Sequence, residues 1–144
     1  MSKPVRVIVV EDHAFLRHTI CAFLSHEPTL DVICQTATGE EAVTKAEEFQ
    51  PGLVLLDISL PGISGIEAAR QIRKVSPQSH IIFLSQHDSS HMVKEAFKAG
   101  GHGYVIKTNA ASELHRAIRA VREGTRFVSQ QIRDQGWSDA MITT

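Results

Sequence analysis

Short apolar runs alternate along the chain with longer segments of mixed character. The runs are Val5–Val10, Leu30–Cys34, Leu53–Leu56, Ile81–Leu84 and Gly103–Ile106. Short runs that are apolar almost throughout are typical of strands buried on both faces, as in a parallel sheet. The pattern therefore predicts five strands, each followed by a segment that crosses back over the sheet.

The segments between the runs carry apolar residues at helical spacing. Leu16, Ile20 and Leu24 recur every fourth position in the first of them. Thr38 and Ser64 each stand three residues before a glutamate, which is the capping-box signature of a helix start. Strands that alternate with helices predict an α/β fold, here a (βα)5 doubly wound, five-stranded parallel sheet with helices on both faces.

The last part of the chain departs from this alternation. From Arg126 to Thr144 it is polar, with several glutamines and one tryptophan, Trp137, and only one helical turn is predicted, near Ser129–Arg133. We therefore predict one domain over residues 1–126 and a C-terminal tail or the start of a linker over residues 127–144. Trp137 is either a hydrophobic anchor against the domain or an interface residue.

Composition narrows the classes of function without naming one. The formal net charge is -1, so the chain lacks the basic character expected of a nucleic-acid-binding domain. No apolar stretch reaches the ~20 residues of a membrane span, and the N-terminus has no secretory pattern. Cys21 and Cys34 have no Cys-x-x-Cys spacing and are interpreted as small buried hydrophobes. These features predict a cytoplasmic protein that binds neither nucleic acid nor membrane through this chain.

Five chemically capable residues stand where predicted strands end: Glu11, Asp12, Asp57, Ser85 and Lys107. Ligands of doubly wound sheets bind outside the carboxyl ends of the strands, so we expect these side chains to converge there. Clustered carboxylates have raised pKa values unless a cation intervenes, and hard carboxylate oxygens suit Mg²⁺. A divalent cation with an ammonium group can then hold a phosphoryl group during in-line transfer.

Asp57 is the strongest candidate nucleophile in this set. It closes the most apolar strand, and the loop after it, Ile58–Gly62, is shaped by proline and glycine. A carboxylate so placed can form an acyl phosphate. A single Asp after a strand is usually a cap or turn former, and a single Lys is usually a solvated charge. The convergence of all five residues favours the functional interpretation.

From roughly Val5 to Arg126 the sequence resembles the receiver domain of two-component response regulators, which has a flavodoxin-like fold. The resemblance rests on four motifs in order: Val9–His13, Leu55–Gly62, Phe83–Ser85 and Gly103–Lys107. Their spacing makes the resemblance specific, although no single motif is.

The resemblance implies a role for each site residue. Asp57 would accept a phosphoryl group from the phosphohistidine of a sensor histidine kinase, with Lys107 as its ion-paired lysine. Ser85 would bond the new phosphoryl group while the Tyr104 ring turns inward, which remodels the surface of the fourth helix, fifth strand and fifth helix. The protein would be a phosphoacceptor with self-catalysed phosphorylation and dephosphorylation, not an enzyme acting on a separate substrate. The Mg²⁺ ligands would be Glu11, Asp12, Asp57 and the backbone carbonyl of Ser59.

The segments Ser85–Asp88 and Gly124–Ser129 resemble the receiver subfamily that precedes a LuxR-type helix-turn-helix domain. The resemblance implies an output through a downstream protein or through such a domain beyond this chain, and homodimerisation on phosphorylation. Gln86 is bulkier than the small residue common at its position, which leaves the lifetime of the phosphate open. Ala110 stands where related domains often have a capping Ser, so the start of the fifth helix is expected to fray.

Two other functions stay open from the sequence. An aspartyl-nucleophile phosphatase generally needs an acid two residues after the nucleophile, and Ser59 stands there instead. A phosphorylation-independent adaptor would be expected to lose some of the acidic, hydroxyl and lysine residues. His87 and His91 have the i, i+4 spacing of metal sites, but without an evident third ligand we interpret them as surface or capping residues.

Overall fold

The computed structural model describes residues 3–143. Met1, Ser2 and Thr144, the outermost residues of the two predicted segments, lie outside the described residues. The strands are β1 Val5–Val10, β2 Leu30–Thr36, β3 Leu53–Asp57, β4 His80–Ser85, β5 Gly103–Ile106 and β6 Phe127–Val128. The α-helices are α1 Ala14–Ser25, α2 Gly39–Phe49, α3 Gly65–Val75, α4 Ser90–Lys98, α5 Ala110–Arg122 and α6 Gln130–Arg133. Short 3-10 helices cover Lys107–Asn109 and Asp139–Thr143.

The strands form one parallel sheet in the order β2-β1-β3-β4-β5-β6. Helices α1 and α5 pack on one face, and α2, α3 and α4 pack on the other. The predicted doubly wound, flavodoxin-like (βα)5 fold is confirmed, and β6 extends the five predicted strands to six. The order reverses at β1, so the functional edge is expected at the carboxyl ends of β1 and β3.

Both predicted capping residues begin helices. The hydroxyl of Thr38 accepts a hydrogen bond from the backbone N–H of Glu41, and Ser64 does the same for Glu67, each at 3.2 Å. Helix α5 differs, because its N-cap residue Asn109 makes no side-chain capping bond. The 3-10 helix Lys107–Asn109 leads directly into α5, and the fraying expected at its start stays a prediction.

The C-terminal residues pack on the same body. Phe127–Val128 pairs with β5, and α6 confirms the helical turn predicted near Ser129–Arg133. Trp137 is only 5% exposed and lies against α4, so within the described chain it is an anchor. Both cysteines are free but only half-buried, so the prediction that they are buried is wrong. No helix among residues 3–143 has the length and apolar character to cross a membrane.

Candidate functional site

Parallel pairing brings the predicted carboxylates to one edge. Val10 of β1 pairs with Leu56 of β3, so Glu11 and Asp57 leave neighbouring strands side by side. Both residues are buried, with 1% and 3% of their surface exposed. Two carboxylates held this close and out of water need a counter-charge.

Lys107 supplies that charge from the end of β5. Its Nζ lies 2.7 Å from Glu11 Oε1 and 3.0 Å from Asp57 Oδ2. Burial by itself lowers the pKa of Lys107, but its contacts with the two carboxylates outweigh burial and raise that pKa above its usual value. The ammonium group therefore stays charged between the two acids.

The two acids respond differently to this shared partner. Burial raises the pKa of Asp57, and the negative charge of Glu11 adds to that rise, so the contact with Lys107 offsets only part of it. Burial also acts to raise the pKa of Glu11, but hydrogen bonds from Lys107 and His13 hold it below its usual value. Glu11 is thus the more firmly ionised of the pair.

Asp12 and His13 complete the acidic side of the site. Asp12 Oδ1 is a buried oxygen without a hydrogen-bond partner among the described residues. Ligand atoms of Glu11, Asp12 and His13 all lie within 4.8 Å of one another. The nearest side-chain nitrogen, His13 Nδ1, is 3.5 Å from this oxygen. A buried carboxylate oxygen that makes no hydrogen bond, beside a second carboxylate, fits a hard divalent cation such as Mg²⁺.

The loop after β3 folds back tightly beside the buried side chain of Asp57. The backbone N–H of Ser59 donates to Asp57 Oδ1 at 3.1 Å, and that of Gly65 donates to the carbonyl of Ile58 at 2.8 Å. A Cβ at Gly65 would collide with the carbonyl oxygen of Asp57, so α3 can begin this close to the strand only with glycine there. The loop folds back tightly while exposed Ser59 stays at the mouth of the site.

Ser85 and Tyr104 meet through the backbone of His87. Buried Ser85 accepts a hydrogen bond from the His87 N–H at 2.9 Å, and the Tyr104 hydroxyl donates to the His87 carbonyl at 2.8 Å. The Tyr104 ring is fully buried. Its pKa is raised to about 12, with burial as the main cause, so the phenol keeps its proton.

His87 was not predicted as a site residue, yet it contacts three of them. Besides its two backbone bonds, its Nε2 lies 3.0 Å from the hydroxyl of Ser59. His91, which we interpreted as a surface or capping residue, is exposed on α4. The useful signal was the place of His87 two residues after Ser85, not its spacing from His91.

The predicted set therefore assembles in two connected parts. Glu11, Asp57 and Lys107 are in direct contact, with Asp12 beside them, and the backbone of Ser59 is bonded to Asp57. Ser85 and Tyr104 form the second part, which His87 joins to Ser59. The site thus consists of buried Asp57 with the ammonium group of Lys107 beside it, next to a set of hydrogen bonds that joins Ser85 and Tyr104 through His87.

The sequence profile of the response regulator receiver domain matches residues 7–119. The chain belongs to this family. The response regulator GacA of Pseudomonas viridiflava is 35% identical over 131 residues, which cover 91% of this chain and 61% of that protein. The response regulator protein VraR of Staphylococcus epidermidis is 33% identical over 128 residues, or 89% of this chain and 61% of that one.

Solved structures agree with this assignment. A two-component response regulator of the LuxR family from an Aurantimonas species superposes with a TM-score of 0.86 at 33% identity, over 92% of this chain and 98% of that one. The receiver domain therefore has LuxR-family regulators as relatives, as its motifs indicated. It spans about three-fifths of the length of the curated relatives that it matches.

Proposed function

We propose that this receiver accepts a phosphoryl group on Asp57 from the phosphohistidine of a sensor histidine kinase, with Mg²⁺ bound. Phosphorylation would then change the conformation of the surface formed by α4, β5 and α5, which a downstream partner would bind. The observation that carries this proposal is the single ammonium group of Lys107, placed within 3.0 Å of buried Asp57 and within 2.7 Å of Glu11.

The transfer uses groups that are already in place. An oxygen of Asp57 attacks the phosphorus in line, so that a P–O bond forms while the P–N bond to the donor histidine breaks. The leaving imidazole nitrogen keeps the electron pair and takes up a proton. Lys107 offsets the charge that arrives on Asp57, and water later hydrolyses the acyl phosphate to regenerate the carboxylate.

Mg²⁺ would be held by Asp12, Asp57, Glu11 and the backbone carbonyl of Ser59. When bound, it neutralises phosphoryl oxygens and so lowers the barrier to transfer between anions. Asp12 Oδ1, a buried oxygen without a hydrogen-bond partner among residues 3–143, supports this role. Glu11 is paired with Lys107 at 2.7 Å, whereas the nearest side-chain nitrogen to Asp12 Oδ1 is His13 Nδ1 at 3.5 Å, so the Asp12 oxygen is the less tightly held of the two.

Transmission starts from the bonds around His87. The Ser85 hydroxyl would turn to donate to a phosphoryl oxygen, which would break the bond that it now accepts from the His87 N–H, and the loop that carries His87 would then shift. The Tyr104 ring is already buried in this structure, so its part in the change would be the bond from its hydroxyl to the His87 carbonyl, which would shift with the loop. Helix α4 begins three residues beyond His87, so the movement reaches the output surface by a short path.

The output belongs to parts or partners outside the matched region. Because the curated relatives are longer than this chain, we propose that the signal passes to a LuxR-type helix-turn-helix domain or to a separate protein. We also propose that phosphorylation promotes homodimers. The net charge of -1 supports a receiver that does not itself contact nucleic acid.

The decisive test is labelling of Asp57 by acetyl phosphate with Mg²⁺, followed by intact mass. The wild-type chain should gain one phosphoryl group, and Asp57→Asn should gain none because the nucleophilic oxygen is lost. Asp31→Asn, an exposed acid on β2, is the matched control and should label normally. Equal labelling of Asp57→Asn would refute the assignment, and a wild-type chain that never labels would favour an adaptor.

A further inference from the structure

The C-terminal segment, residues 127–143, covers part of the surface assigned to output. The ring of Trp137 stacks on Phe97 of α4, with centroids 6.2 Å apart and planes 23° apart. Val128 and Ile132 are buried in the same cluster as the apolar face of α4, and Arg126 lies over the Phe97 ring. The segment thus fills the apolar side of α4 next to β5.

Ser129 fastens the segment to β5. Its N–H donates to the Tyr104 carbonyl at 2.9 Å, and its hydroxyl accepts from the Ile106 N–H at 2.8 Å. The same hydroxyl donates to Glu113 Oε1 on α5 at 2.5 Å, while the other Glu113 oxygen accepts from the Gln130 N–H at 2.9 Å. Ser129 and Glu113 are both buried, and a buried network satisfied in this way holds one defined arrangement.

These bonds connect the segment to the phosphoacceptor site. Strand β5 carries Tyr104, and Lys107 follows directly after its last residue, Ile106. Ser129 is bonded to the backbone of Tyr104, whose hydroxyl bonds to His87. It is also bonded to the backbone of Ile106, which is the immediate neighbour of Lys107. A shift of β5 or of Tyr104 changes the geometry of these bonds.

We propose that the C-terminal segment is a built-in occupant of the α4–β5 surface, and that a phosphoryl group on Asp57 releases it. This inference rests on the proposed function. In the resting receiver the segment holds the surface through Ser129 and Trp137, and an output partner gains access only after release. The partner's own contact would then be apolar or aromatic, because it replaces an indole on Phe97.

Release follows from the position of α4. The helix starts just after the loop that His87 joins to Ser85 and Tyr104, and Ser89 caps it through the Met92 N–H at 3.2 Å. When that loop shifts, α4 moves with its cap and carries Phe97 away from Trp137. The segment then loses the stacking contact that buries its largest side chain.

Trp137 is the one tryptophan of the sequence, so its fluorescence reports on release directly. The full chain is treated with acetyl phosphate and Mg²⁺, while intact mass measures phosphorylation in the same sample. Acrylamide quenching of Trp137 should rise about twofold or more as phosphoryl groups are added, and the emission should shift to the red, as expected for a coupled two-state change. Asp57→Asn should show neither change.

The outcomes separate this inference from the proposed function. A chain that gains its phosphoryl group while Trp137 stays equally protected would overturn the inference and leave the phosphoacceptor role standing. A chain that gains no phosphoryl group would refute the proposed function, and the inference that rests on it would fall as well.

If phosphorylation favours release of the segment, then weakening the segment's contacts must in turn favour binding of a phosphoryl analogue at Asp57. Ser129→Ala removes the hydroxyl bonds to Ile106 and Glu113. The variant should bind beryllofluoride with Mg²⁺ about fivefold more tightly in calorimetry, because less free energy is needed to release the segment. Trp137→Ala should act in the same direction, and Ser138→Ala, at an exposed position of the same segment, should bind like wild type. Circular dichroism checks that each variant is folded, and unchanged affinity in both folded variants would contradict the proposal.

Discussion

The two ends of the sheet differ in how they hold ionisable groups that are partly or fully buried. At the carboxyl end, Glu11 and Asp57 share the ammonium group of Lys107 and form a charged cluster. At the amino end, His102 packs edge-on against His80, with ring centroids 4.9 Å apart. Burial there lowers the pKa of His102 to about 4, and the positive charges of His80, Arg73 and Arg126 add to the effect, so the imidazole is neutral at pH 7.

The difference lies in the partners, not in the burial. His102 uses Nδ1 to accept a hydrogen bond from the backbone N–H of Ile81 at 3.0 Å, a bond that only the form with an unprotonated Nδ1 can make. Lys107 instead faces two carboxylates, which favour its charged form. The carboxyl end holds an ion-paired cluster, and the amino end uses a neutral ring to hold the start of β4 to the end of the α4–β5 loop.

Removing Lys107 should produce the largest effect. Lys107→Ala leaves Glu11 and Asp57 buried without a counter-charge, so the free energy of unfolding in urea should fall by about 3 kcal/mol in the presence of a chelator. Mg²⁺ should restore part of that loss, because it replaces the missing positive charge. Lys98→Ala, at the exposed end of α4, is the control and should be nearly neutral. Equal losses in both variants would mean that the carboxyl end is not held together by charge.

The amino end should respond to pH. The pKa of His102 is about 4 in the folded chain and 6.5 when unperturbed, so the unfolded chain binds the proton first as pH falls. The stability that neutral His102 contributes is therefore complete above pH 6.5 and is lost as pH falls towards 4, at up to about 1.4 kcal/mol per pH unit. His102→Asn should flatten this slope between pH 6.5 and 5 in urea titrations.

Exposed His91 supplies the control for that experiment. His91→Asn should leave the pH slope of wild type intact. The pKa of His80 is also lowered, mainly by burial, so a smaller slope should persist in His102→Asn. A full wild-type slope in His102→Asn would show that the proton binds elsewhere.

The smallest effect is expected at Ser59. Ser59→Ala removes the hydrogen bond to His87 but keeps the backbone carbonyl proposed as a metal ligand, so the Mg²⁺ dissociation constant should change by no more than about twofold. Asp12→Asn is the contrasting variant and should weaken Mg²⁺ binding by about tenfold or more. Calorimetry measures Mg²⁺ binding in both variants. A large loss in Ser59→Ala would assign the metal contact to the side chain.

Local pattern predicted most of the fold, and its errors have a common cause. The apolar run of the second strand ends at Cys34, whereas β2 continues to Thr36 because Gln35 and Thr36 pair with Val9 and Val10. Strand β6 has only two residues and no period of its own, and it exists because β5 offers a free edge. In both cases a neighbour in space supplies the hydrogen bonds that define the strand.

The site divides in the same way. Strand-end positions predicted the meeting of Glu11, Asp57 and Lys107, since the ends of parallel strands share an edge. The contact of the His87 side chain with Ser59 was not predictable from local sequence, because the two residues are 28 positions apart. Which histidine is neutral, and which lysine is shared, likewise depends on groups brought together by folding.

By itself, the sequence determined the order of strands and helices, the caps that start α2 and α3, and therefore the edge at which the acids and the lysine converge. These follow from periodicity and local hydrogen bonding, which act within a few residues. Only the tertiary structure decided that one ammonium group contacts two carboxylates. It also decided that His87 connects Ser59 with Ser85 and Tyr104, and that Trp137 packs on Phe97. Those contacts link residues far apart in the chain, and their geometry is set by the packing of the whole domain, which no local pattern encodes.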